Sequence, residues 1–316
     1  MSDARVTLAV PCRTDEPALG RTAAAAWAAW QAAPQSRTSA LEILVCLNGE
    51  APARPALEEL REVARLLGVT LRDVDLDAPA GAARGPDPGS AVVALRTRRQ
   101  GKAPAWNALR EYASGGTTLF MDADVSFAAD AFGLLLTALD TEPDAVLASG
   151  KTVCAPRPTL FEGVMAVPYR VDFPNLSPQL YAARTTELPA RMPDNLLDPE
   201  HWLELTVGAD RIVRVPQARV VIRLPATVRD FFRQRVRIEM AKVQLAAEHP
   251  QLAGRGAAQP GARAVLRALA PPDLIRLAVY LALRRVAHGV ARRRYQRGRT
   301  TDLWPQAGST KRWDAT

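Results

Sequence analysis

Residues 117–126 read Thr117-Thr118-Leu119-Phe120-Met121-Asp122-Ala123-Asp124-Val125-Ser126. The first five are apolar or β-favouring and predict a buried strand, after which the chain turns toward solvent with two carboxylates one residue apart. Ligands of open α/β sheets bind beyond the carboxyl ends of the strands, so the position carries information as well as the composition. Two hard oxygen donors at that edge suit a divalent cation whose remaining positions are filled by water and phosphate oxygens. An isolated Asp-x-Asp is more often a polar turn than a site, and its neighbours decide between the two.

Upstream, strands alternate with helices. Residues 5–11 predict a strand, and 17–30 a helix with Leu19, Ala23, Trp27 and Trp30 on one side. A second strand spans 41–47 and ends at Asn48-Gly49, a second helix follows over 56–67, and a third strand over 69–76. Residues 78–90, rich in Pro, Gly and Ala, form a loop. A short strand over 91–95 and a helix over 103–112 lead into the strand with the aspartates. This order implies a mostly parallel, doubly wound sheet with right-handed crossovers. Past residue 145 the pattern changes to strands over 145–153, 180–184 and 211–224, separated by proline-rich segments around Pro156, Pro174 and Pro193. That half reads as an antiparallel extension for a second substrate.

The 316 residues, 48% apolar, suit one large domain with appendages. Cys12, Cys46 and Cys154 are odd in number and lack metal-type spacing, which fits a reducing compartment. The opening Met-Ser-Asp-Ala-Arg has no apolar run of a signal peptide, and no stretch of eighteen uncharged apolar residues exists to span a bilayer. Charge is uneven. Residues 251–316 hold thirteen Lys/Arg against three Asp/Glu, a net of +10 in a chain of +8, so the rest is near neutral. Such a tail either solubilises the chain or meets an anionic surface, lipid or nucleic acid.

About fifteen residues before the aspartates stands Gln100-Gly101-Lys102-Ala103-Pro104-Ala105-Trp106-Asn107, a Gly-Lys pair opening a helix. It offers a flexible backbone, a cation and helix N-terminal N–H groups to a diphosphate, although without an upstream glycine it is not a P-loop. Together with the strand ending in Asp-x-Asp it resembles the donor half of family-2 glycosyltransferases of the GT-A fold. The resemblance takes in Val10-Pro11 with Thr14-Asp15-Glu16, then Leu180 to Arg184, then the acidic stretch Asp194-Asn195-Leu196-Leu197-Asp198-Pro199-Glu200-His201-Trp202-Leu203, and Gln234-Arg235-Val236-Arg237. It covers roughly residues 5–245.

The resemblance implies an α/β chain of GT-A type, with a mostly parallel doubly wound sheet, an antiparallel acceptor-side extension and a helical C-terminal appendage. Residues 1–248 would be the catalytic domain, with 1–144 the nucleotide-sugar half and 145–248 the acceptor half, and 249–316 a basic helical region and tail. The implied reaction is inverting transfer of a single sugar from a nucleotide-diphosphate sugar to a hydroxyl acceptor. Asp124 would hold Mg²⁺ or Mn²⁺, with Asp122 on the metal water or the ribose. Lys102 and Arg237 would add positive charge on the diphosphate. Pro11, Arg13, Asp15, Asn48, Asn107 and Gln234 would make further donor contacts. The base falls on Glu200 by the aromatic-Leu match, with Asp198 as runner-up and Asp194 third; Asp198-Pro199-Glu200 is equally a helix N-terminal signature.

The departures have consequences. The family's Asp-Asp-Gly-Ser is Leu47-Asn48-Gly49-Glu50 here, and Leu47 has no group to read a nucleobase, so UDP is favoured only by the family, with GDP and dTDP as alternatives. Ile238 replaces the tryptophan of processive synthases, which favours single transfer. Three competing readings are a nucleotidyltransferase, an Asp-nucleophile phosphatase and a non-enzymatic binder of anionic surfaces. They are disfavoured in turn by the missing Gly-rich loop after the first strand, by the late position of Asp-x-Asp, and by an unexplained Gly-Lys helix. No nucleic-acid partner is expected.

Residues 273–297 predict a basic helix, apolar from Leu274 to Leu283, then carrying Arg284, Arg285 and Arg292 to Arg294. It would either lie on an anionic leaflet or pack on the catalytic body; Arg285 and Arg293 fall near its apolar side. The expected location is cytoplasmic, and membrane contact would place the chain on the inner face of the cytoplasmic membrane with a lipid-linked or envelope-polysaccharide acceptor. Trp304 and Trp313 lie in a tail read as folding back onto the domain.

Overall fold

The computed structural model describes residues 4–78, 92–155 and 159–298. The expected loop over 78–90 (all but its first residue), the start of the strand at 91, the segment at Pro156 and the tail with Trp304 and Trp313 lie outside the described residues. The strands are β1 (Ala4–Arg13), β2 (Ser39–Asn48), β3 (Leu71–Asp75), β4 (Val92–Thr97), β5 (Thr117–Met121), β6 (Ser126–Phe127), β7 (Leu147–Cys154), β8 (Leu180–Arg184) and β9 (Ile212–Ile222). The helices are α1 (Leu19–Ala32), α2 (Arg54–Leu66), α3 (Lys102–Tyr112), α4 (Ala131–Thr141), α5 (Leu160–Ala166), α6 (Pro199–Val207), α7 (Val228–Glu248), α8 (Ala262–Ala268) and α9 (Pro271–Gln296).

The strands form one sheet in the order β3-β4-β2-β1-β5-β8-β7-β9-β6. Strands β3, β4, β2, β1 and β5 are parallel to one another, whereas β8 runs antiparallel to both β5 and β7. The chain moves from β1 to β2 on one side and returns to β5 on the other, so the strand order switches at β1. Pairing of β1 with β5 ends at Ala9–Phe120, while its pairing with β2 runs on to Arg13–Asn48. Pro11, without an N–H to give a ladder, falls in the stretch where β1 and β5 have parted.

Compact packing divides the chain into two units. The first comprises Met1–Lys151, Leu176–Asn195 and Asp210–Val220; the second comprises Thr152–Asn175, Leu196–Ala209 and Val221–Thr316. These units do not follow linear cuts at 144 and 248, because α7 packs with α9 and because β8 and β9 return to the sheet. The first unit carries the sheet apart from the ends of β7 and β9. Its central strands are near-continuous apolar runs, as both faces are covered: Leu8, Ile43, Leu44, Leu47, Leu95 and Leu119 are fully buried. Trp27 is half-buried, and Ala26 takes its place on the packed side of α1 beside Leu19, Ala23 and Trp30. Helix α4, which the alternation did not reveal, is buried on most sides, so its sequence shows a solid apolar run.

Glu42 closes the amino end of the sheet. It is 1% exposed and accepts from Thr7 Oγ1 (2.9 Å), Ser114 N (3.1 Å) and Ser114 Oγ (2.9 Å). In the second unit α9 lies along α7. Ala287 and Ala291 pack with Val236 and Met240, and Tyr280 with Phe231. Among the described residues, no helix is long and apolar enough to cross a membrane.

Candidate active site

The carboxyl edge of the parallel sheet carries, within the first unit, most of the residues expected on the donor side. Asp122 directly follows β5, and its N–H donates to the Gln179 carbonyl at 3.0 Å. Lys102 opens α3, and its Nζ sits 2.7 Å from Asp122 Oδ1 while donating to the Pro178 carbonyl at 3.1 Å. The two side chains are 12% and 23% exposed, so this is a part-buried, charge-assisted pair rather than a surface contact. Lys102 therefore does more than the sequence suggested: it fixes the first aspartate. The two are twenty residues apart, and only the β5–α3 arrangement brings them together.

Gly101 makes the turn into α3 feasible. Its φ is +121°, a conformation that a side chain rarely adopts, and a Cβ there would stand 3.2 Å from Pro104 Cδ. Its carbonyl accepts from the side chain of Asn48, the last residue of β2, which is 2% exposed. Asn48 thus braces the loop before α3. Leu47 beside it is fully buried, so nothing at that position faces a ligand.

Asn107 also acts as a brace. Its Nδ2 donates to the Met192 carbonyl (2.9 Å) and to Asp194 (2.8 Å), and its Oδ1 accepts from Met192 N–H (2.9 Å). Asp194 in turn pairs with Arg191 at 2.6 Å and lies 3.8 Å from Arg99. The Arg191-x-x-Asp194 spacing was a signal the sequence reading did not use. Beneath the edge, Trp106, Phe120 and Tyr181 stack at 5.4 and 5.0 Å, and Trp106 Nε1 donates to Tyr181 Oη at 3.0 Å. Each stacked pair contributes about 0.5–1.5 kcal/mol beyond its burial. At the end of β1, Arg13 and Asp15 form a two-pronged pair at 2.8 and 2.9 Å, and that hydrogen bonding raises the Arg13 pKa above its usual value.

Among the described residues no group of three or more His, Cys, Asp or Glu side chains could enclose a metal. The donor set at this edge is Asp122 and Asp124, with Asp122 held by Lys102. One or two carboxylates with open positions fit Mg²⁺ or Mn²⁺ completed by water and phosphate oxygens, and do not fit a closed structural zinc site.

The remaining site residues lie in the second unit. Asp198 is the N-cap of α6, its carboxylate accepting from His201 N–H at 3.2 Å, with Pro199 at the first helical position. Glu200, in the first turn, is 5% exposed. A hydrogen bond to Glu204 raises the pKa of His201 against the opposing effect of burial. Gln234 and Arg237 lie half-buried on α7, and Arg237 Nε is buried with no hydrogen-bond partner among the described residues. Arg235, between them, is turned to Glu239 and stands over the Tyr280 ring.

Residues 79–168 match the family model described as Glycosyl transferase family 2. No curated protein matches the sequence significantly. Among solved structures, the mannosyltransferase PcManGT from Pyrobaculum calidifontis, determined with GDP-Man and Mn²⁺, superposes with a TM-score of 0.53 at 19% identity, covering 96% of this chain and 82% of that one. Glucosyl-3-phosphoglycerate synthase from Mycobacterium tuberculosis, with Mn²⁺, UDP-Glc and phosphoglyceric acid, gives 0.48 at 14% identity over 78% and 79%. TarS of S. aureus gives 0.47 at 11% over 92% of this chain and 55% of its own. At 19% identity the likeness to PcManGT concerns the fold alone. The doubly wound sheet with its antiparallel extension has the GT-A architecture, and residues 79–168 carry the match to the glycosyltransferase family model.

Proposed function

We propose that the chain transfers a single sugar, with inversion, from a nucleoside-diphosphate sugar to a hydroxyl acceptor, using a divalent cation. The observation that carries this reading is the carboxyl edge in the first unit, where Asp122 and Asp124 follow β5 and Lys102 lies 2.7 Å from Asp122. Asp124, with Asp122 as second donor, would hold Mg²⁺ or Mn²⁺; bound there, the ion supplies neutralising charge for a departing nucleoside diphosphate. The N–H groups at the start of α3 are the first unit's own partners for phosphate oxygens, and Arg237 stays a donor-side assignment by the resemblance. Pro11, Arg13, Asp15 and Gln234 remain assigned to the donor side, with Asn48 and Asn107 acting through the elements they brace. Glu200 takes the proton from the acceptor hydroxyl; this is favoured over Asp198 because the latter's carboxylate already caps α6.

The test is thermal stabilisation by a panel of UDP-, GDP- and dTDP-sugars with and without Mn²⁺, since a ligand of the folded state raises its melting temperature. One nucleotide series should raise it, in a metal-dependent way that Asp124→Ala abolishes. A flat response across the panel overturns the proposal.

A further inference from the structure

Helix α9 has two apolar faces, and among the described residues only one is packed. Tyr280, Ala287 and Ala291 are buried on the side facing α7. On the other side Ile275, Val279 and Val286 are 71%, 45% and 56% exposed, with Ala278, Ala282 and Gly289 also exposed between them. The spacing 275, 279, 282, 286 is one helical stripe about 16 Å long. Exposed Arg285, Arg292 and Arg293 flank and terminate it. Residues 251–298 contain ten arginines and a single carboxylate, Asp273, which is 3% exposed and paired with Arg170 and Arg276. Arg284 is turned inward to Glu239. Within residues 251–298 the outward charge is thus positive around an apolar stripe.

We propose that this face of α9 docks on an anionic lipid bilayer. The helix lies in the headgroup plane, Ile275, Val279 and Val286 enter the acyl boundary, and Arg285, Arg292 and Arg293 meet lipid phosphates. Charge selects this occupant. A second copy of the same face would bring arginine against arginine. A nucleic acid would answer the charge but gain nothing from an aliphatic stripe that carries no ring to stack on a base.

The experiment is co-sedimentation of the full chain with vesicles of phosphatidylcholine alone or with a quarter phosphatidylglycerol, at about 0.1 M salt, with duplex DNA as competitor. Anionic vesicles should bind roughly tenfold or more tightly than neutral ones. Ile275→Asp with Val279→Asp should lower that binding roughly tenfold or more at an unchanged melting temperature. Arg285→Gln with Arg292→Gln and Arg293→Gln should weaken it and flatten its salt dependence. Asp124→Ala should bind as wild type does, which keeps this result separate from the donor chemistry. The proposal is overturned by absence of vesicle binding, by full binding of the Asp variant, by displacement with duplex DNA at matched charge, or by a lowered melting temperature of the Asp variant. The last result would show that the chain itself or a second copy covers the stripe.

Discussion

At the scale of single residues, carboxylates that looked alike in sequence separate by what they touch. Asp122 is held by Lys102, Asp194 by Asn107 and Arg191, and Asp198 by the N–H of His201. Glu200 is buried in the first turn of α6. The roles therefore part on substitution. Glu200→Gln should reduce transfer by about 10²–10⁴-fold, the size of a general-base contribution. Asp198→Ala should instead cost about 1 kcal/mol of stability through the lost cap while transfer is largely kept. Steady-state transfer and thermal melts on both variants check this, and an unaffected Glu200→Gln refutes the assignment. Asp198-Pro199-Glu200 announced both a cap and a base. That Asp198 caps α6 shows only in the His201 hydrogen bond, which composition cannot give.

At the scale of elements, α7 and α9 are joined around one carboxylate. Glu239, 2% exposed, lies within ion-pair distance of Arg235 (2.5 Å), Arg284 (3.0 Å), His288 (3.3 Å) and Lys242 (3.7 Å). Burial pushes its pKa up, but Arg235, Lys242 and Arg284 outweigh burial and hold it down at about 2. An unfolded carboxyl of this type titrates near pH ~4.3. The stabilisation is therefore fully present above that value and disappears as pH falls toward 2. Glu239→Gln should cost about 2 kcal/mol at neutral pH, less than a fully buried pair because the cations are partly solvated. Melting temperatures from pH 7 to 3 should show wild type and variant converging in acid; a constant gap contradicts the account. None of this was legible in sequence. The basic helix was foreseen, but its partner acid lies 45 residues upstream of Arg284, inside a stretch read for its Gln-x-x-Arg spacing. The central strands were legible, because parallel strands buried on both faces leave unbroken apolar runs. Strand β6, two residues long, left no periodicity to find.

For the molecule as a whole, the sheet order places the ends of β1, β2, β4 and β5 along one edge, where the local signals of the sequence fall. Asp122-Ala123-Asp124 and Gly101-Lys102 were found because a strand end and a helix start each have a local signature. Their direct pairing was not foreseen, because register between distant segments is a property of the fold. The compact units are discontinuous in sequence for the same reason: β8 and β9 return to the sheet after the chain has left it. The central claim is that the Asp122–Asp124 turn is a metal-assisted donor site. Hydrolysis of a stabilising nucleotide sugar, measured with and without Mn²⁺ for wild type and Asp124→Ala, tests it most directly. The expected result is metal-dependent release of the nucleoside diphosphate by wild type, and a loss of about 10³-fold or more in the variant at an unchanged melting temperature. Turnover that ignores the metal, or that survives Asp124→Ala, contradicts it.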